Sequence, residues 1–502
     1  MDDAAEPAGT GLAAPNPAQV SAALGLSLLH CPSCGGSLAS DGSGVACVAC
    51  HQPVATYDGI VDFVAGSSST TLDDIDYDQK YSVGLAESLR LYRGIQEAAG
   101  PLWPRSLGDT VEIGCGTGGF SMAMLSQLPA ANVVLTDVSM KMLGLCRARL
   151  GRMSDLRAET VTFATYSGLE SCFRPAVFDT CFGTSVLHHV IDVPRLLRQI
   201  HLFLKPGGKA FFLEPNLRFH RALTATLADI LATWTPDHHL SHPEISPLLN
   251  WMAEVHCNIV NTGEIDILAH REDKHLFVAE IFETMAEEAG FGVAAALVCG
   301  ADPTGANTIQ VYMEQCGAGA AAMAWLLTAW PAAQRPHFEP LGPQDRSPSY
   351  FLWLEKRAVK ARGWRTEPEP PAVVAPAALP ATQLYLTVAL RRDEAGLEIT
   401  ADGWCLAGEA VKSVQFSVGD IRGRLPIWRP RLDLLTMPGR SEAYPPLHVL
   451  CSGIEGTVHL AGVSAVDEPV EVSVEVVAVD GRLLPGRRIV LMPDGDSAVI
   501  HI

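Results

Sequence analysis

Between residues 70 and 358, helical and strand patterns of apolar residues alternate along the chain, the arrangement of βαβ units around a largely parallel sheet. Past residue 383 the pattern changes. LYLTVALRR, LEITADGW, VKSVQFSV, VEVSVEVVAV and RRIVLMP alternate apolar and polar positions, and turn pairs such as Asp480-Gly481 break them with no helical segment between. That predicts an antiparallel β-sandwich or barrel over residues 384–502. The Pro-rich stretch ARGWRTEPEPPAVVAPAALPATQ lies between the two patterns, so residues 359–383 read as a linker. At the other end, residues 1–25 are acidic and rich in Ala and Pro and read as disordered, whereas residues 26–66 are compact and rich in Cys.

Length adds room for two or three domains in 502 residues. Charge adds an exclusion. With 36 Lys and Arg against 56 Asp and Glu, the net charge is −20, which repels phosphate backbones and argues against a broad nucleic-acid surface. No apolar run approaches the roughly 20 residues of a membrane span. The nearest, Ala318 to Trp330, reads as a core or pocket-capping helix. The first residues lack the basic start and apolar run of a signal peptide, so the cytoplasm is the expected compartment. There the 13 cysteines read as metal ligands or buried thiols rather than disulfides.

Four of those cysteines carry a pattern. CPSC, twelve residues and CVAC place Cys31, Cys34, Cys47 and Cys50 as two C-x-x-C knuckles, a spacing that sets four thiolates tetrahedrally around Zn²⁺. With all four positions filled by sulfur, such a site is structural, and it stabilises a segment too short to build a core of its own. His51 reads as a surface neighbour. Together with YDGIVDFV (Tyr57 to Val64), the knuckles resemble the small bacterial zinc ribbons that precede or assist methyltransferase domains.

The stretch VEIGCGTGGF, Val111 to Phe120, contains G-x-G-x-x-G at Gly114, Gly116 and Gly119, the fingerprint of a turn that cradles a dinucleotide. It satisfies G-x-G-x-G at Gly114, Gly116 and Gly118 equally well. Glu112, just before the turn, would repel a pyrophosphate and suits a cationic or hydrogen-bond-donating ligand. NVVLTD ends a strand at Asp137, 23 residues after Gly114, where a carboxylate can accept both ribose hydroxyls of an adenosine. That acid suits NAD as well.

Two later stretches decide between the ligands. VFDTCFGTSVLHHV (Val177 to Val190) is followed by a helix and then by LKPGGKAFFLEPN (Leu204 to Asn216). With the three motifs in this order, the chain from about Tyr77 to Lys356 resembles the class I S-adenosylmethionine-dependent methyltransferases of small-molecule type. The resemblance implies a Rossmann-like α/β sheet with S-adenosylmethionine as cofactor. It implies that Glu112, Gly114, Gly116 and Gly118 line the methionine side and that Asp137 binds the ribose, with Val138 over the adenine. Thr184, Ser185 and Val186 would border the sulfonium. Tyr77 and Tyr81 match an aromatic pair that closes over the cofactor, although they also suit plain packing of a helix on the sheet. The family's G-D-A after the third strand is missing, and Tyr166 stands near its acid.

Methyl transfer is an in-line displacement, so the protein must align the acceptor and take up a proton when one is lost. The insertion at about residues 216–280 concentrates seven of the 16 histidines: His220, His238, His239, His242, His256, His270 and His275. As a general base the order of expectation is His189, at the family's L-x-H position, then His239 and His275. Asp237, His238, His239 and His242 have the residue types of a second metal site. Lys274 and Arg271 suit an anionic substrate group. In the C-terminal region DGWCLAG, GRLPIWRPRLDLLTMP and HVLCSGIEGTVHL loosely resemble β-sandwich modules of bacterial glycan-synthesis enzymes; a packing or oligomerisation role fits equally.

The expectation is therefore a bacterial-type methyltransferase acting on a small molecule or a sugar-containing intermediate, on oxygen before nitrogen or carbon. No nucleic acid or membrane span is expected, and the sandwich could serve a homo-oligomer or a partner protein. The rivals are an rRNA base methyltransferase, since some of those carry a zinc ribbon, and a catalytically inactive scaffold, suggested by Tyr166.

Overall fold

The computed structural model describes residues 26–40, 44–64, 84–169, 172–235, 240–268, 271, 273–357, 381–393, 396–435, 444–461, 463, 469–492 and 497–501. Tyr77, Tyr81, Asp237, His238, His239, His270, the first 25 residues and most of the linker lie outside them.

The cysteine segment forms four short strands, β1 (Leu38–Ser40), β2 (Val45–Cys47), β3 (Pro53–Tyr57) and β4 (Ile60–Asp62), each antiparallel to the next. It does not stand apart. Ile60 and Val61 of β4 pair in parallel with Phe163 and Ala164 of a strand of the main sheet, and the Thr165 hydroxyl donates to Asp62 at 2.6 Å. Both β4 residues are buried, so the ribbon covers an edge of the sheet that would otherwise present unpaired backbone groups.

After α1 (Leu85–Ala99) the sheet strands are β5 (Gly108–Ile113), β6 (Ala130–Asp137), β7 (Ala158–Thr165), β8 (Phe178–Thr184), β9 (Leu204–Pro215), β10 (Val293–Cys299) and β11 (Ser349–Glu355). Their order is β7-β6-β5-β8-β9-β11-β10, parallel as far as β9 and antiparallel beyond it. Helices α2 (Gly119–Gln127), α3 (Met140–Leu150) and α4 (Val193–Phe203) follow β5, β6 and β8. The sequence sets these boundaries locally. The Ser139 hydroxyl accepts from the Met142 N–H and the Asp192 carboxylate from that of Arg195, each capping its helix. Along α4, Val193, Leu196, Leu197, Ile200 and Phe203 recur every three or four residues, and all are buried against the sheet. This is the Rossmann-like sheet the motifs imply.

Two insertions stand over the carboxyl ends of the strands. Between β9 and β10 come α5 (Leu217–Ala232), α6 (His242–Val260), the single turn α7 (Ile265–Leu268) and α8 (Ala279–Glu288); between β10 and β11 come α9 (Ala306–Gln315) and α10 (Ala320–Ala333). Helix α10 realises the apolar run near Ala318. It buries Ala322, Leu326 and Trp330 in one cluster with Phe219, Leu223 and Leu227 of α5 and Leu248 and Met252 of α6. Among the described residues, no helix is long and apolar enough to cross a membrane.

The C-terminal region is a sandwich of two four-stranded antiparallel sheets. One joins β12 (Gln383–Asp393), β13 (Gly396–Leu406), β16 (Gly453–Ala461) and β19 (Ala498–His501); the other joins β14 (Val411–Val418), β15 (Ile421–Pro426), β17 (Val470–Ala478) and β18 (Leu483–Leu491). It rests on the insertion. Leu450 and Cys451 are buried in the same cluster as α5 and α6, and Glu264 takes Lys412 and Arg424 as ionic partners.

Candidate active site

The turn after β5 takes its shape from three glycines with positive φ: 66° at Gly114, 52° at Gly116 and 85° at Gly118. A Cβ on Gly114 would stand 2.3 Å from Val186 Cγ2, and one on Gly118 would stand 2.6 Å from Cys146 Sγ, so neither position has room for a side chain. A Cβ on Gly116 would meet no heavy atom of the protein within 4 Å, which leaves that face of the turn open to a ligand. Asp137, at the end of β6, ties the turn down: Oδ2 accepts the Gly116 N–H at 2.9 Å and Oδ1 the Ser139 N–H at 2.9 Å. Val138 beside it is half-buried.

Glu112 lies beneath the turn, 1% exposed, and accepts the Ser121 hydroxyl at 2.5 Å. Burial pushes its carboxyl up to about 8, with the charge of Asp137 adding to the effect. At neutral pH it is therefore mostly a neutral hydrogen-bonding group, not the fixed negative charge suggested by its place in the sequence. Tyr166 donates its backbone N–H to the Asp137 carbonyl at 3.0 Å, but its ring turns into the apolar cluster under the ribbon and packs edge-on to Phe173 at 4.9 Å.

Thr184 ends β8 opposite the turn. Ser185 holds a φ of +52°, a strained value for a residue with a side chain, while its N–H donates to Leu213 O at 2.8 Å. This kink aims the next three N–H groups at one carboxylate. Val186 and Leu187 donate to Glu214 Oε1 at 3.0 and 2.8 Å, and His188 donates to Oε2 at 3.3 Å. The His188 ring joins them through Nδ1, 2.6 Å from the same Oε2. Glu214 is 1% exposed and has four partners, and Nδ1 of His188 is assigned as N–H.

The other ring nitrogen, Nε2, lies 3.4 Å from Asp273 Oδ1, and Nδ1 of His189 lies 3.6 Å from that oxygen. The two imidazoles stand 3.9 Å apart, centroid to centroid. Asp273 reaches them because the next two residues, Lys274 and His275, donate their backbone N–H groups to His188 O at 2.8 and 3.2 Å. His275 itself lies with Nε2 2.8 Å from Val190 O, and burial keeps its ring neutral by lowering its pKa. Its nitrogen is spent on holding the chain. His220 is buried too, with Nδ1 2.8 Å from Asn216 O and Nε2 3.2 Å from the Tyr312 hydroxyl. Lys274 Nζ donates to Arg271 O at 2.6 Å, and Arg271 Nε donates to Asn258 Oδ1 at 3.0 Å.

Of these residues, His189 stands among the candidates read from the sequence, whereas His188, Glu214 and Asp273 do not. A signal for Glu214 was present in LEPN, an acid at the end of the strand beside β8, the strand that the histidine turn follows. Asp273 carried none, because nothing local says which of many acids in an insertion folds back on β8.

In the ribbon, Cys31 Sγ is 3.7 Å from Cys50 Sγ and Cys34 Sγ is 3.5 Å from Cys47 Sγ, with all four sulfurs within 4.8 Å of one another. Tetrahedral zinc with bonds of about 2.3 Å separates its sulfurs by about 3.8 Å, so the donor set fits. The shifts within the cluster run both ways: the Cys50 N–H on its sulfur pulls the Cys47 thiol down to about 6, while at Cys34 the Gly36 N–H is outweighed by the neighbouring sulfurs of Cys50 and Cys47, which push that thiol up to about 12. Gly36 keeps the knuckle closed: a Cβ there would stand 2.8 Å from Cys47 Sγ.

Residues 111–210, from the glycine turn to β9, match the family model described as "Methyltransferase domain". The highly reducing polyketide synthase PKS6 of Gibberella zeae is 28% identical over 186 residues, which are 34% of this chain and 7% of that protein. The trans-aconitate 2-methyltransferase of Deinococcus radiodurans is 31% identical over 125 residues, 24% of this chain and 45% of that one. The chain therefore spans less than half the length of these relatives. Among solved structures, phosphoethanolamine N-methyltransferase 2 of Haemonchus contortus in complex with S-adenosyl-L-methionine aligns with 57% of this chain and 59% of its own at 18% identity, with a TM-score of 0.34.

Proposed function

We propose that this protein, whose β5–β9 region is a class I S-adenosylmethionine-dependent methyltransferase domain, transfers the methyl group to a small organic acceptor that gives up a proton in the reaction. The observation that carries this reading is the buried His188–Glu214 pair, which begins two residues after the Val186 side chain against which Gly114 is packed. S-adenosylmethionine, when bound along the turn, supplies an electrophilic methyl group. Gly116 offers its open face, and Asp137 offers its remaining lone pairs to the ribose. Thr184, Ser185 and Val186 border the reacting methyl. His188 accepts the acceptor's proton at Nε2, and Glu214, through Nδ1–H, stabilises the imidazolium that forms. Asp273 and His189 form the wall beside that nitrogen.

An acceptor that is already an anion, such as a carboxylate, needs no base. The paired histidine therefore favours a hydroxyl, in keeping with O-methylation, and an activated C–H is the other acceptor such a base serves. The test is a turnover assay with labelled S-adenosylmethionine against hydroxyl, β-dicarbonyl and carboxylate panels, with the product analysed for the methylated atom. Methylation of carboxylates alone, unaffected by His188→Gln, would reject the role of the dyad. RNA as acceptor predicts binding that falls steeply with salt, and such binding at sub-micromolar strength to ribosomal RNA fragments would favour the rival reading.

The four ribbon thiolates, in the same reading, hold one structural zinc ion. Elemental analysis should find about one zinc per chain, and Cys31→Ser or chelation should loosen the ribbon, since binding of the metal is much of its folding free energy. Freshly purified protein free of metal would end the assignment.

A further inference from the structure

Trp428 follows β15 in the sandwich, and its backbone N–H is fixed to Gly453 O of β16 at 2.9 Å. Two guanidinium groups lie over its ring: Arg429 of its own domain at 4.6 Å from the centroid, and Arg271 of the insertion at 4.9 Å. Arg271 donates through Nε to Asn258 Oδ1 at 3.0 Å, and Asn258 donates through Nδ2 to Asp273 Oδ2 at 3.4 Å. Only one orientation of the Asn258 amide serves both neighbours, with oxygen toward the guanidinium and NH₂ toward the carboxylate. Asp273 is thereby held at one oxygen and presents the other to His188 and His189.

A second tie lies close by. Glu264 is clamped by Lys412 and by Arg424 at 2.9 Å, Asp266 takes Arg424 Nε at 2.7 Å, and the neighbouring Gly263 N–H donates to Lys274 O at 3.2 Å. The Lys412 side chain is only 6% exposed, so this ion pair is part of the domain contact rather than a solvated surface pair.

We propose that the C-terminal sandwich builds the acceptor side of the site: Trp428 is a positioning residue that acts through Arg271 and Asn258 on Asp273, and through it on the His188–His189 pair. The proposal rests on reading that pair as the acceptor side of a methyltransferase. It gives the sandwich a part in the reaction that packing alone would not.

The test uses the full chain with isotope-labelled histidine, the His188 and His189 ring signals being assigned by their loss in His188→Gln and His189→Gln. Asp273→Asn supplies the reference displacement of those signals. Trp428→Ala should move them at least about halfway to that reference, whereas Trp428→Phe, which keeps an aromatic face for Arg271, should leave them near their wild-type positions. The distant His51 should not move in either variant. Wild-type His188 and His189 signals in folded Trp428→Ala would overturn the proposal. Should that variant fail to fold, Arg424→Ala loosens the second tie, and unmoved signals there would overturn it equally. Calorimetry with S-adenosylmethionine runs in parallel, and Trp428→Ala should keep the affinity within about twofold. A wild-type protein that does not take up the cofactor would sink the methyltransferase reading, while the ring signals would still decide the coupling.

Discussion

The glycine turn and the histidine wall meet at Val186, yet they are built in opposite ways. The turn is one continuous stretch, closed by a single distant carboxylate, Asp137. The wall draws His188 and His189 from the turn after β8, Glu214 from β9 and Asp273 from the insertion, and it leans on Trp428 of another domain. A site for a constant cofactor can be local, because a few backbone positions define its shape. A site for a particular acceptor is assembled from segments that no local rule links.

The largest effect should come from breaking the wall alone. His188→Gln should lower methyl transfer about a hundred- to ten-thousandfold, the range of a lost general base, while cofactor affinity in calorimetry stays unchanged. Glu214→Gln should follow it in direction. That variant also disturbs the N–H groups of Val186 and Leu187, so a smaller loss than in His188→Gln with intact folding would sharpen the role of the pair.

Breaking the turn should do the reverse. Asp137→Ala removes the anchor of the Gly116 N–H and the proposed acceptor of the ribose hydroxyls, at a cost of about 1–3 kcal/mol and therefore about five- to 150-fold in S-adenosylmethionine affinity. Unchanged affinity in that variant would detach the cofactor from this turn.

The smallest effect sharpens the chemistry beneath the turn. The folded-state pKa of Glu112 is raised from 4.5 to about 8, so the folded state holds the proton more tightly than the unfolded chain. Its contribution to stability is fully present below pH 4.5 and is lost as pH rises through about 8. Wild type should therefore lose a few degrees of melting temperature relative to Glu112→Gln over that window. Parallel melting curves across it would mean that Glu112 is ionised throughout. Near neutral pH the substitution should change cofactor binding little, which separates this picture from that of a fixed charge facing the sulfonium.

Some of the molecule could be read directly from the chain. Alternating patterns announced a parallel α/β sheet and an antiparallel sandwich, because side-chain periodicity is set by backbone geometry one element at a time. The glycines at 114, 116 and 118 and the knuckles at 31, 34, 47 and 50 were legible for the same reason: turn shape and ligand spacing are short-range properties. Tertiary structure decided the rest. It seated β4 on β7, so that the ribbon became an edge of the sheet. It buried Glu112 and thereby made an acid mostly neutral, and it turned the Tyr166 ring into the core. It also chose His188 over its neighbour for the carboxylate of Glu214, and it brought Asp273 and Trp428 to the same wall. Charge state, burial and convergence of this kind depend on which surfaces pack together, and that is a property of the whole fold rather than of any stretch of residues.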